Sequence, residues 1–326
     1  MKNKLFNYNI FSKIFLTSNY NIIYIFKKDV RKKKNLQLIN KITVESPINT
    51  ISIFPSGKII STSINRTITI YNREFNKLQE IKNAHDEFIL NLNIKDELNF
   101  VTCSLDLNIK TWYKKEEEYK LNKVISKAHN YQINQVIFCS NYNIISCSQD
   151  NSVKIWEFQN NNYQNSTTLN NSNFINSILL LEDKKILISS GWEGTKFWNI
   201  NNYNILFFLS QCCCFYWNAI KRFNEDQIIV GGSRMTNILI ISLEKQNIIR
   251  EIESPFLSWG IYVINNLHLF LLGGNSKNIK IYSNDNYECI KTIEDAHSDD
   301  IMGFNQLNNN FIISYSKDST IKVWSF

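Results

Sequence analysis

The stretch that decides the fold begins at Ala128-His129, passes Ser146, and ends in Ser148-Gln149-Asp150-Asn151-Ser152-Val153-Lys154-Ile155-Trp156. The same residue types recur twice more in register. Ala84-His85 leads to Thr102, Asp106 and Trp112, and Ala296-His297 leads to Ser314, Asp318 and Trp324. In every copy the Asp lies 21 residues after the His and the Trp lies 27 after it. Loops drift in length, so a spacing held over that distance implies one structural unit used three times. A repeat of this kind fixes the fold class before any single residue does.

Within the unit the chain reads as strands. Phe100-Val101-Thr102-Cys103-Ser104 is a β-branched and aromatic run of strand length, Leu105 to Asn108 is a tight turn, and Ile109 to Trp112 is the next strand. His, Asp and Ser invite a catalytic reading. Three of the four histidines sit in the repeated position, each with its own Asp, so we read them as structural; function is argued from a site and not from residue types. His268 lies in the apolar run Leu267-His268-Leu269-Phe270-Leu271-Leu272 and is expected on a strand, facing a loop or a neighbouring unit.

The unit resembles the WD40 repeat. That family's pattern is a Gly-His, a core of strands, an Asp-containing turn and a closing Trp-Asp. Here the first dipeptide is Ala-His, and the last is Trp112-Tyr113, Trp156-Glu157 or Trp324-Ser325. The segments ending at Trp156 and Trp324 lie close to the family consensus. The resemblance implies an all-β propeller of four-stranded antiparallel blades, with strands a to d from the inside outward. It also implies that His85, Thr102, Asp106 and Trp112 form one hydrogen-bonded chain. The other complete sets are His129, Ser146, Asp150 and Trp156, and His297, Ser314, Asp318 and Trp324. An indole N–H can only donate, whereas a hydroxyl can both donate and accept. A fully satisfied buried network of this kind fixes one geometry.

The ends of the c strands can be followed at Tyr71, Trp112, Trp156, Trp198, Ile241, Tyr282 and Trp324. Their steps of about 41 to 44 residues match a WD40 blade. Lys13 to Ser18 aligns with Lys58 to Ser63, and Ile22 to Phe26 with Thr67 to Tyr71, which gives about eight units. Eight blades is the preferred count. The alternative is seven blades, with Leu36 to Ile42 supplying the outer strand of the last one. Either ring leaves only short outer edges. Residues 1–326 read as a single domain.

Composition sets wider limits. The chain has 326 residues and 44% hydrophobic content, ample for a core. The abundance of Asn, Ile, Lys, Phe and Tyr reads as the bias of an AT-rich genome. Seven cysteines form no CxxC pair; Cys103 and Cys147 read as small hydrophobes in b strands. Cys212-Cys213-Cys214 on one strand would point to alternate faces and could not converge on an ion, so no metal or other cofactor is expected. Reduced thiols and an intracellular, cytoplasmic location follow, with a nuclear one as the alternative. Ile10 to Phe26 is too polar to span a membrane. The net charge is +7, with its sharpest cluster at Lys27-Lys28-Asp29-Val30-Arg31-Lys32-Lys33-Lys34, read as a solvated loop and alternatively as a localisation signal or a patch for anionic surfaces.

The resemblance places partner contacts on the face made by the d–a and b–c connections. Carried over by position, it selects Phe88, Leu90, Leu105, Phe174, Trp192, Trp217 and Met302 as an apolar cluster at one mouth of the ring. The expected function is a non-catalytic scaffold for other proteins or peptides, within a multiprotein complex. One alternative is a ubiquitin-ligase adaptor or phosphopeptide reader. Against it, no Trp-Asp-x-Arg follows a c strand, and only Arg66 and Arg234 fall in the turns of that face. Another is an RNA-associated assembly factor, suggested by the positive charge. An enzyme is not expected: there is no Gly-rich phosphate loop, no paired carboxylate constellation and no free nucleophile–base pair.

Overall fold

The computed structural model describes residues 11–18, 21–28, 36–214, 219–233, 237–308 and 310–326. Seven four-stranded antiparallel sheets form a propeller ring. Six blades are continuous in sequence, over residues 48–81, 89–125, 133–170, 175–209, 220–252 and 258–293. The seventh combines three strands of residues 301–325 with Gln37–Thr43 as its outer strand. That closing strand runs antiparallel to Thr320–Ser325, from Gln37 opposite Ser325 to Thr43 opposite Thr320.

The preferred count of eight is thereby corrected to the alternative of seven. The hairpin of Phe11–Ser18 and Asn21–Lys28 is a separate two-stranded sheet. Its apolar pattern matches a b–c pair, but the closing strand has already completed the last blade.

The blades hold together face to face. Buried clusters sit between neighbouring sheets. Ile60, Ile68 and Ile70 of blade 1 meet Ile89, Leu92 and Phe100 of blade 2, and Ile313 and Val323 of blade 7 meet Ile48 and Ile59 of blade 1. A middle strand covered on both faces has no solvent side, so it reads as a continuous apolar run and not as an alternation. Ile144–Ser148 is buried throughout, whereas the outer strand Asn162–Asn170 is mostly exposed. Each fully buried Ile contributes about 1.5–3 kcal/mol.

Two irregularities recur. Strand a carries a bulge at its start, after Ile48, Ile89, Ile133, Ile175, Ser258 and Ile301. The c–d pairing carries another just before Tyr71, Trp112, Trp156, Trp198, Ile241 and Tyr282. Bulges add twist and re-aim side chains, and these bear on the groups considered next.

Candidate functional site

Each repeated set is brought together. His85 Nδ1 lies 2.8 Å from Asp106 Oδ2, its Nε2 lies 2.8 Å from Thr102 Oγ1, and the Trp112 indole donates to that oxygen at 2.9 Å. Around His129 the matching distances to Asp150 and Ser146 are 2.8 and 2.7 Å, and Trp156 donates to Ser146 at 2.9 Å. Around His297 they are 2.9 and 2.7 Å, with Trp324 donating to Ser314 at 2.8 Å.

The direction of the bonds follows from donor inventory. A carboxylate only accepts, so Nδ1 carries the proton. In a neutral ring Nε2 then accepts from the hydroxyl, whose oxygen accepts from the indole. Burial lowers the pKa of His85 and His129 despite their Asp partners, and takes His297 to about 4. Burial alone would raise Asp106. Hydrogen bonds from His85 and from the Asn108 and Asp86 amides outweigh that and hold it at about 2. Asp318 is held at about 2 against burial by the Thr320 hydroxyl, the Ser298 amide and His297. Neutral rings sealed between a hydroxyl and a low-pKa carboxylate brace the loop.

Sequence reasoning missed a fifth member. Lys110 Nζ donates to the Ala84 carbonyl at 2.8 Å, Lys154 does the same to Ala128 at 2.8 Å, and Lys322 binds the Ala296 carbonyl. The signal was present: a Lys stands two residues before each of the three Trp. In blade 4 part of the set survives in altered form. Trp198 donates to Ser189 at 2.9 Å, and Glu193 accepts from both the amide and the hydroxyl of Ser172, each at 3.0 Å.

A second missed group lies on the inner strands. Asn49 Nδ2 donates to the Ile89 carbonyl at 2.9 Å, Asn134 to Ile175 at 2.8 Å, and Asn176 to Cys214 at 2.9 Å. Asn93 accepts from the Phe138 amide at 2.9 Å, and Gln135 from the Ile178 amide at 2.9 Å. These bonds link blade to blade where the inner edge of strand a would leave backbone groups without a ladder partner. The Asn content of these strands therefore has a structural cause as well as a compositional one.

The face of the d–a and b–c connections has its own repeating bond. The amide before the turn Asp position donates to the carbonyl at the start of strand a: Leu105 to Phe88 at 3.0 Å, Gln149 to Gln132 at 3.1 Å, Trp192 to Phe174 at 3.3 Å and Lys317 to Asp300 at 3.1 Å. It brings the expected apolar residues together in pairs. Phe88 (43% exposed) sits with Leu105, which is half-buried. Phe174 (36%) and Trp192 (53%) make an edge-to-face contact with ring centroids 6.0 Å apart. The polar pair Gln132 and Gln149 stands on blade 3, between them. Blade 7 presents the ion pair Lys317–Asp300 at 2.8 Å.

The remaining expected residues fall in different places. Leu90 is only 7% exposed because it occupies the strand-a bulge, the position from which Asn49, Asn134 and Asn176 reach the next blade. Met302, at the same bulge, is half-buried against the cluster between blades 7 and 1. Trp217 and Arg234 lie outside the described residues, as does most of the basic segment 27–34. Arg66 is engaged with the Asp86 carbonyl at 3.0 Å. His268 is not on a strand: it ends a 3-10 turn at φ 53°, 3.5 Å from Asp285 and 71% exposed in its side chain. Cys212, Cys213 and Cys214 are buried in a connection, not on one strand. Among the described residues no helix is long and apolar enough to cross a membrane.

The fold and these braces define a seven-bladed β-propeller built from a repeated His–hydroxyl–Asp–Trp unit. The family model described as WD domain, G-beta repeat matches residues 120–157 and 287–325. Each match runs from the outer strand of one blade through three strands of the next, and each contains a complete set. The chain is thus a β-propeller consistent with the WD40-repeat family. No curated protein matches it.

Proposed function

We propose that this propeller is a non-catalytic scaffold that binds a protein partner through the face bearing Phe88, Leu105, Phe174 and Trp192. The observation that carries the reading is the exposed edge-to-face pair Phe174–Trp192. Apolar rings held at the surface usually mark an interaction site, and aromatic anchors supply a disproportionate share of binding energy. The pair is held by backbone. A Cβ on Gly191 would come within 1.7 Å of the Phe174 carbonyl, so the chain approaches there closely. The two apolar pairs flank Gln132 and Gln149. That pattern suits a peptide with two apolar side chains and polar backbone between them.

The test is affinity purification with mass spectrometry on wild type and on Phe174→Ala/Trp192→Ala, with Tm as the folding control. The expected result is loss of specific partners at unchanged Tm. For an isolated partner Kd should rise by about 30-fold or more, the effect of removing a binding hot spot. Retention of every partner by the folded variant overturns the reading.

A further inference from the structure

Blade 1 keeps the register of the repeated unit but changes its side chains. Ser61 pairs across the b–c ladder with Thr69, as Thr102 pairs with Lys110, Ser146 with Lys154 and Ser314 with Lys322. Tyr71 faces Ile59 as Trp112 faces Phe100. Asn65 follows Ser61 at the interval by which Asp106 follows Thr102. The backbone fixes the remaining position. The Val44 amide donates to the Ser319 carbonyl at 2.9 Å, as Ala84 does to Arg66 at 3.0 Å and Ala128 to Leu107 at 2.8 Å. The three acceptors are the left-handed residues (φ 61°, 66° and 67°) that follow the turn Asp or Asn. Glu45 therefore stands where His85 and His129 stand, and its side chain is 76% exposed, turned away to solvent.

So Glu, Thr and Tyr replace the His, Lys and Trp of the complete unit. The space those larger groups fill elsewhere is here a cavity of about 420 Å³. Ser61, Ser63, Asn65, Thr69 and Tyr71 line it. Its mouth carries Lys77, which lies 3.3 Å from Glu80 and 3.9 Å from Glu45. Lys82 lies 3.7 Å from Glu80 as well, so two cations meet two carboxylates there.

We propose that this cavity binds a neutral imidazole ring. Ser61 occupies the position of Thr102, which meets Nε2, and Asn65 that of Asp106, which meets Nδ1; Asn65 Oδ1 accepts from the Ser63 hydroxyl and keeps a second lone pair. A hydroxyl that donates and an amide oxygen that accepts complement the acceptor and donor nitrogens of a neutral imidazole. The ring can come from a small amine such as histamine or from a histidyl side chain of a peptide.

The test uses the full chain, titrated with imidazole, histamine and imidazole-4-acetate, with Tm read at each concentration. The expected result is a saturable upward shift with each compound, since all three carry the ring. Glu45→Gln leaves the cavity unfilled and should keep the shift, Ser61→Ala should weaken it, and Glu45→His should fill the site from within and abolish it. If Glu45→His does not fold, the Ser61→Ala and Glu45→Gln pair still decides the matter. Absence of a saturable shift in wild type, or an undiminished shift in Ser61→Ala, overturns the proposal. Competition by an acetyl-Gly-His-Gly-amide peptide identifies a protein side chain as the source, and binding of the free amine alone identifies a small molecule.

Discussion

His129 has no spare hydrogen-bonding capacity: one nitrogen is committed to Asp150 and the other to Ser146, in a buried site. Replacing it with Ala leaves a carboxylate and a hydroxyl short of partners, so His129→Ala should cost about 2–4 kcal/mol in urea denaturation. Acid should act through the same groups. His297 has a folded pKa of about 4 against an ordinary value of 6.5, so between those values the unfolded chain binds more protons. Stability is therefore full above about 6.5 and falls as pH drops from 6.5 towards 4. Asp106 and Asp318, at about 2 against 3.8, extend the loss from 3.8 towards 2. Urea midpoints measured across that range should fall in two stages, and His297→Asn should shrink the first, which His85 and His129 share. These His and Asp residues were legible in sequence because their spacing is fixed. Lys110, Lys154 and Lys322 escaped notice because Lys is common throughout the chain, which hides a position that repeats.

Among the strands, apolar runs and turn residues gave the b and c elements directly, because middle strands are buried on both faces. The inner strands were harder to read. Asn disfavours strands by propensity, yet Asn134 and Asn176 sit at strand-a bulges, where their amides bind the next blade. A bulge also explains why Leu90, one residue along from an ordinary strand position, is buried and not at the mouth. The Gly191 turn offers a sharper test of how an element sets up the proposed site. Gly191→Ala should cost about 1–3 kcal/mol through overpacking against the Phe174 carbonyl. It should also separate the Phe174 and Trp192 rings, seen as a change in Trp192 fluorescence and a weaker partner complex.

For the molecule as a whole, the count of blades is the property that sequence pattern could not decide. The hairpin at 11–28 has the same apolar rhythm as a blade, but closure depends on Gln37–Thr43 pairing with Thr320–Ser325, a contact between distant parts of the chain. Removing residues 1–28 should leave Tm nearly unchanged by scanning calorimetry. Removing residues 1–43 strips the last blade of its outer strand, exposes the edge of Thr320–Ser325, and should lower Tm sharply. The way that pair is oriented also has a mechanical meaning. Gln37 lies opposite Ser325 at one end of the ladder, so tension applied between residues 36 and 326 loads the rungs one after another, as a zipper does. Antiparallel bonds run across the strands, and rungs loaded singly part at far lower force than rungs sheared together. An optical trap gripping those two points should see the seventh blade unclasp first, at low force, while the other six resist as a block.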